Sequence, residues 1–135
     1  MKIQLCLTGI KPLTLNSAYP TNKMGRRFKS DKYQQFESKI SCELRKYKKE
    51  IDKVNRAFKK STKHYIEFKY KFYMPVLVKD GSRISKTSGD LSNLIKTMED
   101  VIFKNLIFDD SQVSFLSCEK HHSESIYTEV FITIV

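Results

Sequence analysis

Between His64 and Met74 the chain alternates without a break: Tyr65, Glu67, Lys69 and Lys71 fall on one side, and Ile66, Phe68, Tyr70 and Phe72 on the other. A period of two is the mark of a strand, and a strand with so apolar a side needs a layer to bury it against. Lys2 to Thr8 carries the same period, with Ile3, Leu5 and Leu7 facing one way. Gln112 to His121 and Ser125 to Ile134 also read as strands, with His122-Ser123-Glu124 as a hairpin connection between them. Two segments of helical period are interleaved. Ser30 suits an N-cap, and Tyr33, Phe36, Ile40, Leu44, Tyr47 and Ile51 recur at steps of three and four, which predicts a helix from Asp31 to about Ile51. A second helix is expected from about Leu91 to Lys104, with Asn105 as its stop. The order β-α-β-α-β-β predicts an α+β fold, in which two main helices cover a mixed β-sheet within one domain spanning residues 1–135.

The remaining segments read as connections. Gly9 to Gly25 contains Pro12, Asn16, Tyr19, Pro20 and Asn22 without sustained periodicity, and a loop of that length in a small domain is usually functional. Asn55 to Lys63 reads as a basic connector. Pro75 ends the central strand, Lys79-Asp80-Gly81-Ser82 makes a turn, and Arg83 to Gly89 is a polar approach to the second helix.

Charge is distributed unevenly. The net charge is +10, yet residues 1–72 hold 19 Lys and Arg against 6 Asp and Glu, while residues 73–135 hold 6 against 9. A basic half joined to an acidic half suits a polyanion held near a cation site. Arg26, Arg27 and Lys29 beside Phe28 suit either phosphate contact or a solvated loop, and Arg83 and Lys86 are positioned to meet a phosphate. Cys6, Cys42 and Cys118 are odd in number and widely spaced, so no disulfide framework or CxxC motif is present; a reducing, cytoplasmic setting follows. The first residues are too short an apolar run for a signal peptide, and no run approaches a membrane span.

The chemistry concentrates in Gly89–Asp100 and in Asp109-Asp110-Ser111-Gln112-Val113. At 100° per residue, Leu91, Leu94, Ile95, Met98, Val101 and Ile102 gather on one side of the helix, while Asp90, Asn93, Thr97 and Asp100 share an arc of roughly 80° on the other, with Lys96 at its edge. Two or three carboxylates meeting at one point would hold Mg²⁺, a hard cation, with Mn²⁺ as the alternative. Lys96 would stabilise charge on a cleaved phosphodiester. A simpler reading is available for each acid: Asp90 as a helix cap, Asp109-Asp110 as a turn. That reading leaves unexplained why the acids of a basic protein collect here.

These residues resemble a known signature. Asp90-Leu91-Ser92-Asn93-Leu94-Ile95-Lys96, then Asp100, then Asp109-Asp110-Ser111-Gln112-Val113, is similar to the Asp-x-Asp-Asn-x-x-Lys, following Asp, and Asp-Asp-x-Gln-Val/Ile pattern of the RusA-type Holliday-junction resolvases. Pro12, Asn16 and Tyr19 resemble the family's Pro-Pro-Ser-x-Asn loop, and Arg27-Phe28-Lys29-Ser30 its Arg-x-x-Ser entry to the first helix. The resemblance implies a homodimeric, Mg²⁺-dependent endonuclease that resolves four-way junctions by paired nicks, often phage- or prophage-encoded. Asp90, Asp110 and Lys96 then match essential positions and Asp109 a supporting acid, with Asp100 as possible further support. Asp90, Asp110, Asp109 and Ser92 would be the metal ligands, and Asn16, Arg26, Arg27, Lys29, Arg83, Lys86, Asn93 and Lys96 would contact DNA. Ser92 departs from the pattern, which has a second Asp there; Asp109, Asp100 or a water on Ser92 Oγ would have to substitute. The dimer interface is expected in loop residues 10–29 and the edge strands. Two other readings compete: a nuclease preferring forks or flaps, and a basic nucleic-acid-binding protein without catalysis.

Overall fold

A computed structural model describes residues 1–135. Strands β1 (Lys2–Thr8), β2 (Ile66–Met74), β3 (Phe115–His122) and β4 (Tyr127–Ile134) form one sheet in the order β1-β4-β2-β3. β4 runs antiparallel to both β1 and β2, and β3 lies parallel to β2. The helices are α1 (Leu15–Ala18), α2 (Asp31–Arg45), α3 (Lys48–Lys60) and α4 (Leu91–Ile102). The α+β class with a mixed sheet is therefore as the sequence implied. No helix is long and apolar enough to cross a membrane.

The alternation of β2 is realised residue by residue. Ile66, Phe68, Tyr70, Phe72 and Met74 are buried, and the residues between them are half-exposed. Leu5 and Leu7 of β1 and Val130, Ile132 and Ile134 of β4 join the same layer. Against it lie Tyr33, Phe36, Ile40 and Leu44 from α2, Ile51 and Val54 from α3, and Leu94, Ile95, Met98, Val101 and Ile102 from α4, giving one continuous core. All three long helices cover the same face of the sheet; the other face has no layer on it.

Four expectations are corrected. The helix expected from Asp31 to Ile51 ends at Arg45, where Tyr47 leaves the helical conformation (φ −109°, ψ 23°) and its hydroxyl accepts from Cys6 N–H at 3.1 Å and donates to Cys6 C=O at 3.0 Å. That tether to the outer edge of β1 bends the chain into a second helix. Asn55–Lys63 is consequently not a connector through most of its length: α3 continues to Lys60, burying Val54 and packing Phe58 at the core's margin. The third strand starts at Phe115, because Asp110–Gln112 is a 3₁₀ turn. Finally, β3 and β4 are not a hairpin. β2 lies between them, and the short link Ser123–Ile126 crosses its end, Ser123 N–H donating to Met74 C=O at 3.0 Å. Pro75 takes the chain out of the sheet just there, and His122 Nδ1 receives Val76 N–H at 3.2 Å and Leu77 N–H at 3.4 Å, holding the departing segment. His121 and His122 point to opposite faces, as adjacent strand residues must.

Candidate functional site

α4 is fixed from three directions. At its N-terminal end, Gly89 adopts φ +92°, and a Cβ there would lie 2.9 Å from Thr14 Cγ2, so the approach to the helix needs glycine. From β3, Lys120 Nζ donates to Ser88 Oγ at 2.8 Å and to Gly89 C=O at 2.6 Å. From the loop after β1, Leu13 C=O accepts the Thr97 hydroxyl at 2.5 Å. Thr97 is thus fully buried and leaves the polar arc to which the sequence assigned it. The side of α4 that lines the cleft is instead the stripe Lys96, Glu99, Asp100 and Phe103, spaced i, i+3, i+4, i+7 and turned by about 80° from the expected arc.

That stripe faces Leu106–Asp110 across a cleft of about 480 Å³. Asp109 and Asp110 enter it through the 3₁₀ turn. Asp109 Oδ1 accepts Ser111 N–H at 3.2 Å while Gln112 Oε1 accepts Asp109 N–H at 3.0 Å, a reciprocal cap. A hydrogen bond with Asp110 and then the Ser111 N–H hold Asp109 below the usual carboxylate range. The cap occupies one Asp109 oxygen and leaves Asp110 turned toward α4.

Lys96 Nζ lies 3.2 Å from Asp100 Oδ1 and 3.4 Å from Asp110 Oδ2, so it bridges the helix and the turn. The bond to Asp100, followed by the charge of Asp110, raises its pKa. Lys96 is therefore a permanent cation near neutrality, suited to stabilising negative charge and unsuited to accepting a proton.

Glu99 was not singled out in the sequence, and it is the most perturbed acid of the site. It is 8% exposed, and no side-chain donor reaches it. Burial first, and the charge of Asp110 next, push its pKa up to about 7 despite the opposing pull of Lys96. Tyr70 Oη, buried beneath the same region, also lacks a partner. The missed signal was its helical position: Glu99 lies four residues after Ile95 and three before Ile102, both buried, and so borders the apolar side of α4.

The other predicted residues distribute as follows. Asp90 stands at the N-cap of α4, exposed and without a side-chain capping bond. It lies about 9 Å of helix rise before Lys96 and does not line the cleft. Ser92 is exposed on the same helical stripe as Lys96, and Asn93 is half-buried. Asn16 Oδ1 accepts from Arg27 Nη2 at 3.2 Å, and Arg27 Nε donates to Tyr19 C=O at 3.1 Å, so this pair ties its own loop together. Lys29 pairs with Glu37, as does Lys104, and lies 5.2 Å over the Tyr33 ring. Arg26, Arg83 and Lys86 are exposed.

No group of three or more His, Cys, Asp or Glu side chains is placed to hold a metal ion. Mg²⁺ does not require one; it is usually held by one or two carboxylates, keeping water and substrate phosphate as its other ligands. An all-oxygen set around Asp110, with the unpartnered Glu99 carboxylate beside it, fits such a hard cation by donor chemistry. A comparison with curated proteins found no match. A family model does match: residues 10–134 fit the one described as endodeoxyribonuclease RusA, and the chain belongs to that family.

Proposed function

We propose that the protein is a Mg²⁺-dependent, structure-specific endodeoxyribonuclease that resolves four-way DNA junctions by paired nicks, acting as a homodimer. The observation that carries this reading is Lys96 held between Asp100 and Asp110 at an open cleft of a protein with net charge +10. Membership of the RusA family supplies the reaction class; the junction, the metal and the pairing of cuts are the reading advanced here.

In this mechanism Asp110, with Asp109 beside it, would hold the ion in the cleft; Asp90 and Ser92, outside the cleft lining, would take part only through water or substrate. When bound, Mg²⁺ supplies Lewis acidity and lowers the pKa of water. Lys96 meets the charge that builds on the phosphate oxygens or on the leaving oxygen. Asp100 keeps Lys96 protonated and aimed, and Asp110, 3.4 Å from the same ammonium, would be one of the carboxylates holding the ion. Glu99, whose pKa burial pushes up to about 7, is suited to take or return a proton near neutrality. Arg26, Arg83 and Lys86 supply salt-sensitive affinity for the backbone.

The deciding experiment is one gel that compares four-way junction, fork, flap and linear duplex, with and without Mg²⁺, for wild type and Asp110→Asn. Metal-dependent cleavage of the junction, abolished in the variant, is expected. Fork or flap cleavage ranked first would make the protein a different branched-DNA nuclease. Metal-insensitive binding without cleavage would make it a non-catalytic binder. Equal cleavage by both proteins would remove Asp110 from the mechanism.

A further inference from the structure

The ion pairs of the cleft have a counterpart at the end of α4 with the signs exchanged. In the cleft one ammonium, Lys96, stands between two carboxylates. Just past α4 one carboxylate, Glu37 of α2, stands between two ammoniums: its Oε1 pairs with Lys29 and its Oε2 with Lys104. Every other paired carboxylate of the chain holds a single cation. Burial works against the charge of Glu37, whose side chain is 14% exposed, but the bonds from Lys104 and Lys29 outweigh it and hold the carboxyl below its ordinary range. The lysines themselves are open, with 42% and 60% of their side chains exposed. An ammonium has three donors, so the bond to Glu37 leaves donors free on each.

This clasp joins two depressions. Lys104 lines the cleft together with Lys96. Lys29 and Glu37 line a second trough, of about 410 Å³, where Ser38, Ser41 and Arg45 continue along α2 and no apolar side chain intrudes. Cations and hydroxyls in file suit a sugar–phosphate backbone, and the trough offers no apolar wall to a base or a protein side chain. As a stabilising device the clasp is weak, because exposed ion pairs contribute little. Two lysines against one glutamate leave a surplus positive charge for a phosphate to meet. The spacing fits as well. Lys104 lies eight residues after Lys96, about 12 Å of helical rise. One strand of duplex carries a phosphate every 3.4 Å or about that along its axis, so a strand with one phosphate at Lys96 has another roughly three or four nucleotides on, at Lys104.

We propose that Lys29 and Lys104 form a second phosphate subsite for the DNA strand that enters the cleft, and that Glu37 is its internal stand-in, the anion the two lysines hold while no strand is bound. This rests on the reading of the cleft as a DNA site and adds the course of the strand, off the end of α4 and along α2. Glu37 competes with the arriving phosphate for the same donors, so it keeps the two lysines converged at the expense of affinity.

Fluorescence anisotropy of a fluorescein-labelled four-way junction tests this on the full chain, in EDTA so that nothing is cut, across a salt series. Lys29→Met combined with Lys104→Met should weaken binding about tenfold and lower the slope of log affinity against log salt by about one, the worth of one phosphate contact. Lys2→Met combined with Lys69→Met removes the same charge from the opposite face of the sheet and should cost far less. Glu37→Gln should bind about threefold tighter, the scale of one exposed ion pair. All variants should retain the wild-type circular dichroism spectrum, since Lys29 and Lys104 are exposed. Equal losses in the two double variants, or weaker binding by Glu37→Gln, overturns the proposal. Cleavage in Mg²⁺ is scored separately. A protein that cuts junctions yet binds them independently of these lysines refutes the subsite alone. A protein that binds through them and never cuts refutes the proposed function and leaves the subsite standing.

Discussion

The sharpest stability prediction concerns Glu99→Gln. The folded protein raises the Glu99 pKa from 4.5 to about 7 by burying it and setting it beside Asp110. An acid whose folded pKa is raised costs nothing where both states are protonated, below about pH 4.5. The cost then grows as pH rises, because the unfolded chain ionises first, and it is complete above about pH 7. A shift of this size corresponds to on the order of 3 kcal/mol. Glutamine keeps the shape without the charge, so the variant should match wild type near pH 4.5 and become the more stable protein by pH 8. At about 3 °C per kcal/mol for a chain of this length, its melting temperature should be on the order of 10 °C higher there. Thermal melts followed by circular dichroism at half-unit steps from pH 4.5 to 8.5 give the whole curve. The argument fails if the difference between the two proteins does not change with pH, or if the variant is the less stable at pH 8. The same substitution should flatten the neutral limb of the cleavage pH profile, since it removes the carboxyl whose pKa burial pushes up to about 7.

Lys96→Met should reduce Mg²⁺-dependent junction cleavage by about 100-fold or more, with binding at low salt little changed, because one charge among many phosphate contacts is lost but the one at the reacting group is unique; a gel-shift beside the cleavage assay separates the two. Gly89→Ala should destabilise by about 1–3 kcal/mol, since it combines a positive φ with a contact on Thr14 that is too close; an unchanged denaturant midpoint would contradict it. Lys120→Met should lower cleavage more than stability, releasing Ser88 and Gly89 at the start of α4; equal proportional losses in both would mean a purely structural role. Ser92→Asp should keep or raise activity, and complete loss would assign the serine a role of its own.

Much of this architecture could be read from periodicity, and the parts that could not have a common cause. β1 and β2 were delimited almost to the residue because each has one buried and one open face. Ser30 was identified as a cap and is one, its Oγ accepting from Tyr33 N–H at 3.2 Å. The break between α2 and α3 was invisible because the apolar steps from Leu44 through Ile51 continue across it; a hydroxyl bonding to a distant strand makes the bend. Neighbour order in the sheet was invisible too, since the few residues from Ser123 to Ile126 serve equally for a hairpin or for stepping over a strand's end. Of the residues the sequence singled out, Lys96, Asp100, Asp109 and Asp110 line one cleft, whereas Asp90 and Ser92 lie outside its lining. Glu99 escaped because helical angles assign a residue to a side without saying what the rest of the chain brings there.

The position of β4 has one more consequence. It is the last strand in the chain and one of the two in the middle of the sheet, hydrogen-bonded to β1 on one side and β2 on the other. A polypeptide emerging from the ribosome can wind its helices early, but β1 has no strand to pair with until residues 127–134 are free. Removing those residues would not trim an edge; it would divide the sheet into a lone strand and a parallel pair. Insertions or fusions near the C-terminal end are therefore far less tolerable than at the turn around Asp80, where the backbone is exposed and no strand depends on it.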